Sequence, residues 1–317
     1  MQKLLISLIT ILLICALIFT GVMYFAIKNF KEYGSPLVVD EEARMISTDE
    51  ESVRILRFSD IQTTNLIECA IAYPTVKRLV KEYQPDLIIL TGDNISNNSK
   101  KIVLDAFIDL FDSFEIPWAL VFGNHDRNSQ NSMEEICKAL ENSEYCIFQT
   151  GYMDDRYGNY YYNIEIGGKV VRSLFFMDSA KTNFTIEQVE WYKNTVNKIA
   201  QKEGEVIPSF VFFHIPIVET EDAYNHYLEN PMAGTGFIEE PRVQDENTGF
   251  FDAVKSLEST DALFFGHDHL NNAIIKYEDV LFCYAMKTGY TVYYDWDRMG
   301  ANLITITSDD FTIERVR

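Results

Sequence analysis

A short apolar run followed by a polar turn that contains potential metal ligands occurs five times in this chain of 317 residues. Apolar runs of this length, bounded by turn-forming residues, are typical of buried strands, so the polar turns should stand at strand ends. The turns carry Asp60, Asp93, Asn124, His214 and the pair His267 and His269. They also hold four of the five histidines of the chain, with His226 as the exception. This recurrence predicts a dinuclear metal centre.

Helical patterns alternate with these runs, at 73–83, 102–114, 133–140 and 186–200. Alternation of this kind predicts an α/β fold with a mixed sheet, covering helices and ligands at the carboxyl ends of the strands. The C-terminal part instead predicts strands joined by short turns, at 273–277, 280–285, 301–307 and 311–316. A hairpin of 160–166 and 170–177 should turn at Gly167 and Gly168. Residues 219–248 lack clear periodicity, and we expect a long loop beside the site.

Charge and composition exclude some classes of protein. The 47% of apolar residues can form a sizeable core, so the chain is not of the disordered type. The net charge of −21 argues against a nucleic-acid partner, because phosphate backbones are held by clusters of Lys and Arg.

The N-terminal segment predicts a membrane anchor. Residues 4–27 carry no charge, and about 20 apolar residues suffice to span a bilayer. A cleaved signal peptide is the alternative, although its apolar core usually has only about 7–15 residues and no A-x-A site follows this run. Residues 1–3 are then a short tail, 28–52 an acidic tether and 53–317 one domain. We expect a single-pass protein of the cell membrane with an extracytoplasmic domain.

The cysteines form no C-x-x-C pair, so a zinc knuckle or a thioredoxin-type motif is not indicated. Cys137 and Cys146 are close enough in sequence to form a disulfide in an oxidising compartment, or they are buried free thiols. Both alternatives remain open.

The ligand-bearing turns suit phosphoryl transfer, because two metals can bind the attacking and the leaving oxygens and acidify a water. The first ion would be held by Asp60, Asp93 and His269, and the second by Asp93, Asn124, His214 and His267. Asp93 is the natural bridge, since its carboxylate can offer one oxygen to each ion. His125 is free to protonate the leaving alkoxide, and Asp126 could orient its imidazole.

The order of these motifs resembles calcineurin-like metallophosphoesterases, over about residues 53–317. The segments Gly92-Asp93-Asn94, Phe213-His214-Ile215-Pro216 and Gly266-His267-Asp268-His269 are similar to the branch named after purple acid phosphatases. Ser96 replaces the tyrosine of the purple chromophore, so a purple centre is not expected. The resemblance implies a four-layer α/β/β/α sandwich of two mixed β-sheets and phosphoester hydrolysis by a metal-bridging hydroxide. Substrate contacts would come from Asn271, Lys287 and Tyr290.

The sequence departs from the resemblance at Gln62, where the family usually has a histidine on the first metal. A glutamine oxygen can coordinate, and it would favour Mn, Mg or Fe(II) over Zn. Alternatively, Gln62 only hydrogen-bonds a water, which leaves the first ion loosely held.

A metal-dependent phosphoesterase is therefore the leading hypothesis. The alternative is a catalytically weak binding or scaffold protein at the membrane with the same fold, for which Gln62 is the only sequence support. A nucleotide-binding module and a serine hydrolase are not supported, because the chain has neither a P-loop nor a G-x-S-x-G motif. The sequence does not identify the substrate ester or the oligomeric state.

Overall fold

The computed structural model describes residues 35–317. Two mixed sheets form its centre, with nine strands in the order β1-β2-β6-β7-β8-β10-β12-β11-β9 and five in the order β14-β13-β3-β4-β5. The strands are β1 (Val38–Asp40), β2 (Met45–Thr48), β3 (Ser52–Phe58), β4 (Leu87–Thr91), β5 (Trp118–Val121), β6 (Tyr160–Ile166), β7 (Lys169–Phe176), β8 (Ser209–Phe212), β9 (Gly234–Thr235), β10 (Thr260–Phe265), β11 (Ile274–Tyr277), β12 (Val280–Tyr284), β13 (Ala301–Thr307) and β14 (Phe311–Val316). The α-helices are α1 (Leu66–Tyr83), α2 (Lys101–Asp112), α3 (Met133–Glu141), α4 (Ile186–Glu203), α5 (Thr220–Glu229) and α6 (Phe250–Leu257).

Alternating side chains of the large sheet face two different cores. On β8, Phe210 and Phe212 join the core shared with the five-stranded sheet, whereas Val211 packs with helices α4 and α6. This period of two is what a strand buried on both faces requires. The predicted α/β sandwich of two mixed sheets with outer helices is therefore confirmed.

The predicted hairpin is also present, and it turns at Gly167 and Gly168, whose φ angles are +57° and +81°. Helix α1 begins earlier than the periodicity predicted, at Leu66, because Asn65 caps it by accepting hydrogen bonds from the backbone N–H groups of Ile67 and Glu68. Pro74 consequently lies inside the helix and not in its first turn.

The prediction of a long loop at 219–248 is wrong for its first part, which contains α5, a 3-10 turn at Pro231–Ala233 and β9. Only Thr220 and Ala223 of α5 are buried, so the helix shows little apolar periodicity.

The prediction of a solvated tether at 28–52 is wrong for Val38–Asp40 and Met45–Thr48, which form β1 and β2 of the large sheet. Strand β2 pairs in parallel with β6, and Ile46 is fully buried. These strands are too short to show a sequence pattern. The predicted anchor at 4–27 lies outside the described residues, and none of the helices within 35–317 is long and apolar enough to cross a bilayer.

The described cysteines are buried free thiols: Cys69, Cys137, Cys146 and Cys283. Cys137 and Cys146 are thus not bridged, which decides between the two alternatives above in favour of the thiols.

Candidate metal centre

The turns that follow β3, β4, β5, β8 and β10 meet at one edge of the two sheets. Backbone hydrogen bonds join neighbouring turns, from Asp60 N to Gly92 O at 3.0 Å and from Gly266 N to His214 O at 3.1 Å. The first bond links two strand ends of the small sheet, and the second links two of the large sheet. The predicted ligands are therefore brought together by the sheet architecture.

Asp60, Asp93 and His214 form the centre of this cluster. Each of these buried residues offers one ligand atom, and the three atoms lie within 4.8 Å of one another. His269 Nε2 lies 3.3 Å from Asp60 Oδ1, and the ring centroid of His267 lies 5.2 Å from that of His214. Carboxylate oxygens and imidazole nitrogens are suitable ligands for divalent metals.

Three of the predicted ligand atoms are buried without a hydrogen-bond partner. They are Asp60 Oδ1, His214 Nε2 and Asn124 Oδ1. Buried polar atoms are normally satisfied, and leaving one unpaired costs about 1–3 kcal/mol. Divalent cations beside Asp60, Asp93 and His214 would satisfy the first two of these atoms, so these residues fit the metal centre that the sequence predicted.

Two backbone carbonyls orient the histidine rings. His214 donates from Nδ1 to Thr91 O at 2.8 Å, and His269 donates from Nδ1 to Tyr293 O at 3.0 Å. The Tyr293 ring also stacks on His269, with 4.3 Å between centroids. Each contact directs Nε2 towards a carboxylate, in the way that outer hydrogen bonds orient metal ligands. The sequence analysis missed both partners, because a backbone carbonyl has no residue signature.

Two glycines allow the close approach of these turns. A Cβ atom on Gly92, whose φ is +90°, would lie 2.4 Å from His214 Nδ1. A Cβ atom on Gly123 would lie 2.2 Å from Asp93 Oδ1. Asp60 and Asp93 themselves have φ angles of +54° and +51°. Such left-handed backbone at non-glycine residues is costly and is concentrated at functional sites.

The charges of the cluster are strongly coupled. Burial lowers the pKa of His214, but the carboxylate of Asp93, 3.3 Å away, outweighs burial and raises this pKa to about 10. Burial lowers the pKa of His267 to about 4, so this imidazole is neutral at neutral pH. Burial opposes ionisation of Asp60, yet the imidazole of His269, with Nε2 at 3.3 Å from Oδ1, keeps the pKa of Asp60 below its usual range.

Gln62 does not present its oxygen to this cluster. Its Oε1 accepts a hydrogen bond from Lys287 Nζ at 3.1 Å, and its Nε2 donates to Asp93 Oδ2 at 2.8 Å. A lysine can only donate and a carboxylate can only accept, so these neighbours determine which end of the amide faces which partner. The predicted coordination by Gln62 is therefore not formed, because its amide oxygen is turned to Lys287.

His125 lies at the rim of the cluster, with 32% of its side chain exposed and Nε2 at 3.9 Å from Asp93 Oδ2. Its Nδ1 atom is 3.0 Å from Asn97 Oδ1. Asp126 does not contact the imidazole as predicted, because its buried carboxylate accepts hydrogen bonds from the backbone N–H groups of Gly123, Asn94 and Ile95. Asp126 thus connects two turns instead of orienting His125.

The three predicted substrate contacts are used differently. Asn271 is buried and bonds the backbone of Glu239 at both ends of its amide. Lys287 is only 1% exposed, and its Nζ also donates to Asp60 O. The hydroxyl of Tyr290 pairs with Thr75 on α1 at 2.7 Å. In the described residues, all three side chains thus make hydrogen bonds within the protein, and none of these bonds leads into the rim of the cluster.

Arg242 and Tyr293 line the rim beside His269, and the sequence analysis missed both. The Arg242 side chain is exposed, its backbone N–H donates to Asp268 Oδ2, and its guanidinium lies 5.8 Å from the Tyr293 ring centroid. A cation beside an aromatic ring is an arrangement suited to an anionic organic ligand.

Comparison with curated proteins finds relatives named after purple acid phosphatases. The chain is 27% identical over 267 residues to "Probable inactive purple acid phosphatase 28" of Arabidopsis thaliana, which covers 74% of this chain and 64% of that protein. It is 25% identical over 293 residues to "Phosphatase DCR2" of Saccharomyces cerevisiae, covering 79% of this chain and 50% of that protein. The chain therefore spans about half to two thirds of the length of these relatives.

Among solved structures, a dimetal phosphatase from Danio rerio superposes with a TM-score of 0.59 at 12% identity, covering 84% of this chain and 96% of that one. At this identity the likeness shows the fold alone. Residues 53–271 match the sequence profile described as calcineurin-like phosphoesterase. The match covers more than half of the chain, and it includes every turn of the cluster. The chain thus belongs to the calcineurin-like phosphoesterase family.

Proposed function

We propose that this protein is a metal-dependent phosphoesterase with two divalent ions. Asp60, Asp93 and His269 would hold one ion. Asp93 would also bind the second ion, together with three further residues. Those three are Asn124, His214 and His267. Mn, Fe or Mg would be preferred over Zn at the Asp60 position, because oxygen ligands dominate there.

The observation that carries this proposal is the convergence of Asp60, Asp93 and His214, whose ligand atoms lie within 4.8 Å of one another while Asp60 Oδ1 and His214 Nε2 are buried without a hydrogen-bond partner. A fold stabilised by these side chains alone would pair them with protein donors and acceptors. Their placement at the carboxyl ends of strands, beneath an exposed rim, supports binding of ions and of a substrate at the same place.

The bound ions would supply Lewis acidity and an activated water, which are the requirements of phosphoester hydrolysis. The chain's own residues would do the rest. His125 is exposed enough to meet a substrate, and Nε2 is the ring nitrogen that faces the cluster, so it would hold a proton next to the departing oxygen. The Asp93 carboxylate is kept in place by the backbone N–H of His125 at 2.8 Å.

The substrate class that fits is an anionic phosphate ester. Arg242 provides a positive side chain at the rim of a protein whose net charge is −21, and Tyr293 provides an apolar surface for the leaving group. Whether one or two ester bonds are tolerated depends on the width of this rim.

The test is turnover of an aryl phosphate monoester and a diester by the full chain, first freed of metal with a chelator and then supplied with Mn²⁺. We expect activity only with metal, and loss of activity together with bound metal in Asp93→Ala. Asp105→Ala, which removes a half-exposed carboxylate paired with Lys101, is the matched control. Wild-type turnover without metal, or in Asp93→Ala, would refute the proposal.

A second candidate is a binding or scaffold protein with weak activity, which the names of the "inactive" relatives favour. It predicts that metal binds with little or no turnover of any ester in a panel of monoesters, diesters, pyrophosphates and phospholipids. The same experiment therefore separates the two candidates.

We further propose that residues 4–27 attach the protein to the cell membrane with the phosphoesterase domain on the extracytoplasmic side. The uncharged run at these positions supports this location. Attachment to the membrane would restrict the enzyme to esters that reach that surface.

A further inference from the structure

Lys287 places a buried positive charge directly behind one half of the candidate metal centre. Its Nζ lies 3.0 Å from the carbonyl oxygen of Asp60 and 3.1 Å from Oε1 of Gln62. The residue is 1% exposed, so bulk water does not screen the charge, and burial lowers its pKa only to about 8, which leaves the ammonium charged at neutral pH. The lysine therefore acts on the Asp60 side of the centre as a permanent part of the site.

The backbone keeps this lysine in place. Thr288 N donates to Ser59 O at 2.9 Å, and Gly289 N donates to Asp60 O at 3.2 Å. A Cβ atom on Gly289 would lie 2.0 Å from Ile61 O, so the two segments touch. Because the segment 287–289 is bonded to the turn that carries Asp60, the ammonium group is held beside that turn.

Gln62 connects the Lys287 ammonium to the bridging carboxylate of Asp93 through hydrogen bonds at both ends of its amide. Its oxygen is taken by Lys287, and its N–H group points at Asp93 Oδ2, the same oxygen that lies 3.3 Å from His214 Nε2. At this position the chain therefore presents a hydrogen-bond donor where a nitrogen ligand would offer a lone pair. An ion on the Asp60 side loses one ligand and meets a nearby positive charge.

The opposite side of the centre is built differently. Asn124 Oδ1 and His214 Nε2 are buried and unpaired, and the ring centroid of His267 lies 5.2 Å from that of His214. Together with Asp93 they offer four ligand groups to one ion. The second position would thus have four ligands, and the Asp60 position three ligands and the Lys287 ammonium nearby. We therefore expect the two positions to differ in metal affinity.

We propose that Lys287 and Gln62 make this a centre with one tightly bound and one weakly bound, exchangeable ion, the weak ion being on the Asp60 side. The inference rests on the proposed function, because it concerns the same two ions. The Lys287 ammonium and the amide N–H of Gln62 stand where the family usually has an imidazole ligand.

The experiment measures metal binding and not activity. The full chain in detergent is freed of metal and titrated with Mn²⁺, and free Mn²⁺ is followed by its paramagnetic resonance signal. We expect two ions per chain, with dissociation constants that differ by about 10-fold or more. Lys287→Gln removes the charge but keeps a donor for Gln62, and it should strengthen the weak ion by about 10-fold or more while leaving the tight ion unchanged.

Three further variants sharpen the test. Lys276→Gln removes an exposed lysine that pairs with Asp279 at 3.2 Å, and it should change neither constant. In Gln62→His the affinity of the weakly bound ion should stay low, because the new imidazole faces the Lys287 ammonium. Adding Lys287→Gln to Gln62→His should give two ions of similar affinity and raise the preference for Zn²⁺.

The outcomes separate this inference from the proposed function. Two equally tight ions in the wild type, or an unchanged or weaker second ion in Lys287→Gln, would overturn the inference and leave the phosphoesterase proposal standing. Absence of any bound Mn²⁺ in the wild type would overturn both. Circular dichroism checks that each variant is folded, and the wild-type constants decide the matter if Lys287→Gln does not fold.

Discussion

Nδ1 of His125 lies 3.0 Å from Oδ1 of Asn97, on the turn that follows the bridging carboxylate of Asp93. A ring nitrogen that donates to an amide oxygen keeps its own proton there, so a proton given to a leaving oxygen would come from Nε2 of the doubly protonated ring. The partner of this imidazole is therefore an amide 28 residues earlier in the chain, and not its neighbour Asp126.

His125→Ala should lower turnover by about 10²–10⁴-fold, the usual contribution of a positioned proton donor, while metal content stays at the wild-type level. Esters with acidic leaving groups should lose least, because they need no proton. Asn97→Ala should lose about 10–100-fold, since only the orientation of the ring is affected. Elemental analysis and kinetics with a series of aryl phosphates measure both effects. Loss of metal in His125→Ala would show that His125 is a ligand.

Metal binding should release a proton from His214. The pKa of this residue is raised to about 10, so the metal-free protein holds a proton there at neutral pH, and an ion needs the lone pair of Nε2. The affinity of the ion bound by His214 should fall about tenfold for each pH unit below 10. His267, whose pKa is about 4, should release none at neutral pH.

Calorimetry of Mn²⁺ binding in two buffers with different ionisation enthalpies counts the released protons. We expect about one proton for the ion bound by His214, and none in His214→Ala. Binding heats that do not depend on the buffer would contradict this assignment.

Asp126→Ala should destabilise the fold. The carboxylate accepts hydrogen bonds from the backbone N–H groups of Gly123, Asn94 and Ile95 at 2.8–2.9 Å, and all three donors would remain buried. A buried donor without a partner costs about 1–3 kcal/mol, so we expect a loss of about 3 kcal/mol or more in the free energy of unfolding. Urea denaturation measures it. Asp126→Asn keeps one acceptor oxygen and should lose less, and equal losses would argue against this explanation.

Two truncations test where the folded domain begins. Deleting residues 1–30 should release an active protein from the membrane fraction, because β1 and β2 are retained. Deleting residues 1–51 should also remove the β2 strand from β6 and the buried side chain of Ile46, at a cost of about 2 kcal/mol or more. Sedimentation and thermal unfolding distinguish the two products. Equal stability of both would mean that β1 and β2 are dispensable additions.

The sequence was most informative where a ligand directly follows a buried strand. Asp93 and His214 could be placed from the apolar runs before them, because strand ends meet at a common edge. Lys287 and Gln62 lie 225 positions apart, and a single hydrogen bond between them leaves no pattern in one sequence. Asp126 misled for the opposite reason, since adjacency to His125 says nothing about the direction of a side chain in a turn. Short strands such as β2 are missed because four residues are too few to show a period.

The direction of the strands also determines how the chain enters its own domain. Strand β1 is antiparallel to β2, which is parallel to β6, and Val38 lies opposite Ser47 near the end of β6 that is remote from the ligand-bearing turns. Ser35 Oγ donates to Asp86 O, just before β4, whereas Asp93 follows β4 at its other end. The chain thus arrives about 15 Å below the cluster, the length of a five-residue strand. An attachment through residues 4–27, as proposed above, would therefore join the domain at the end remote from the mouth of the site and leave that mouth free to receive its esters.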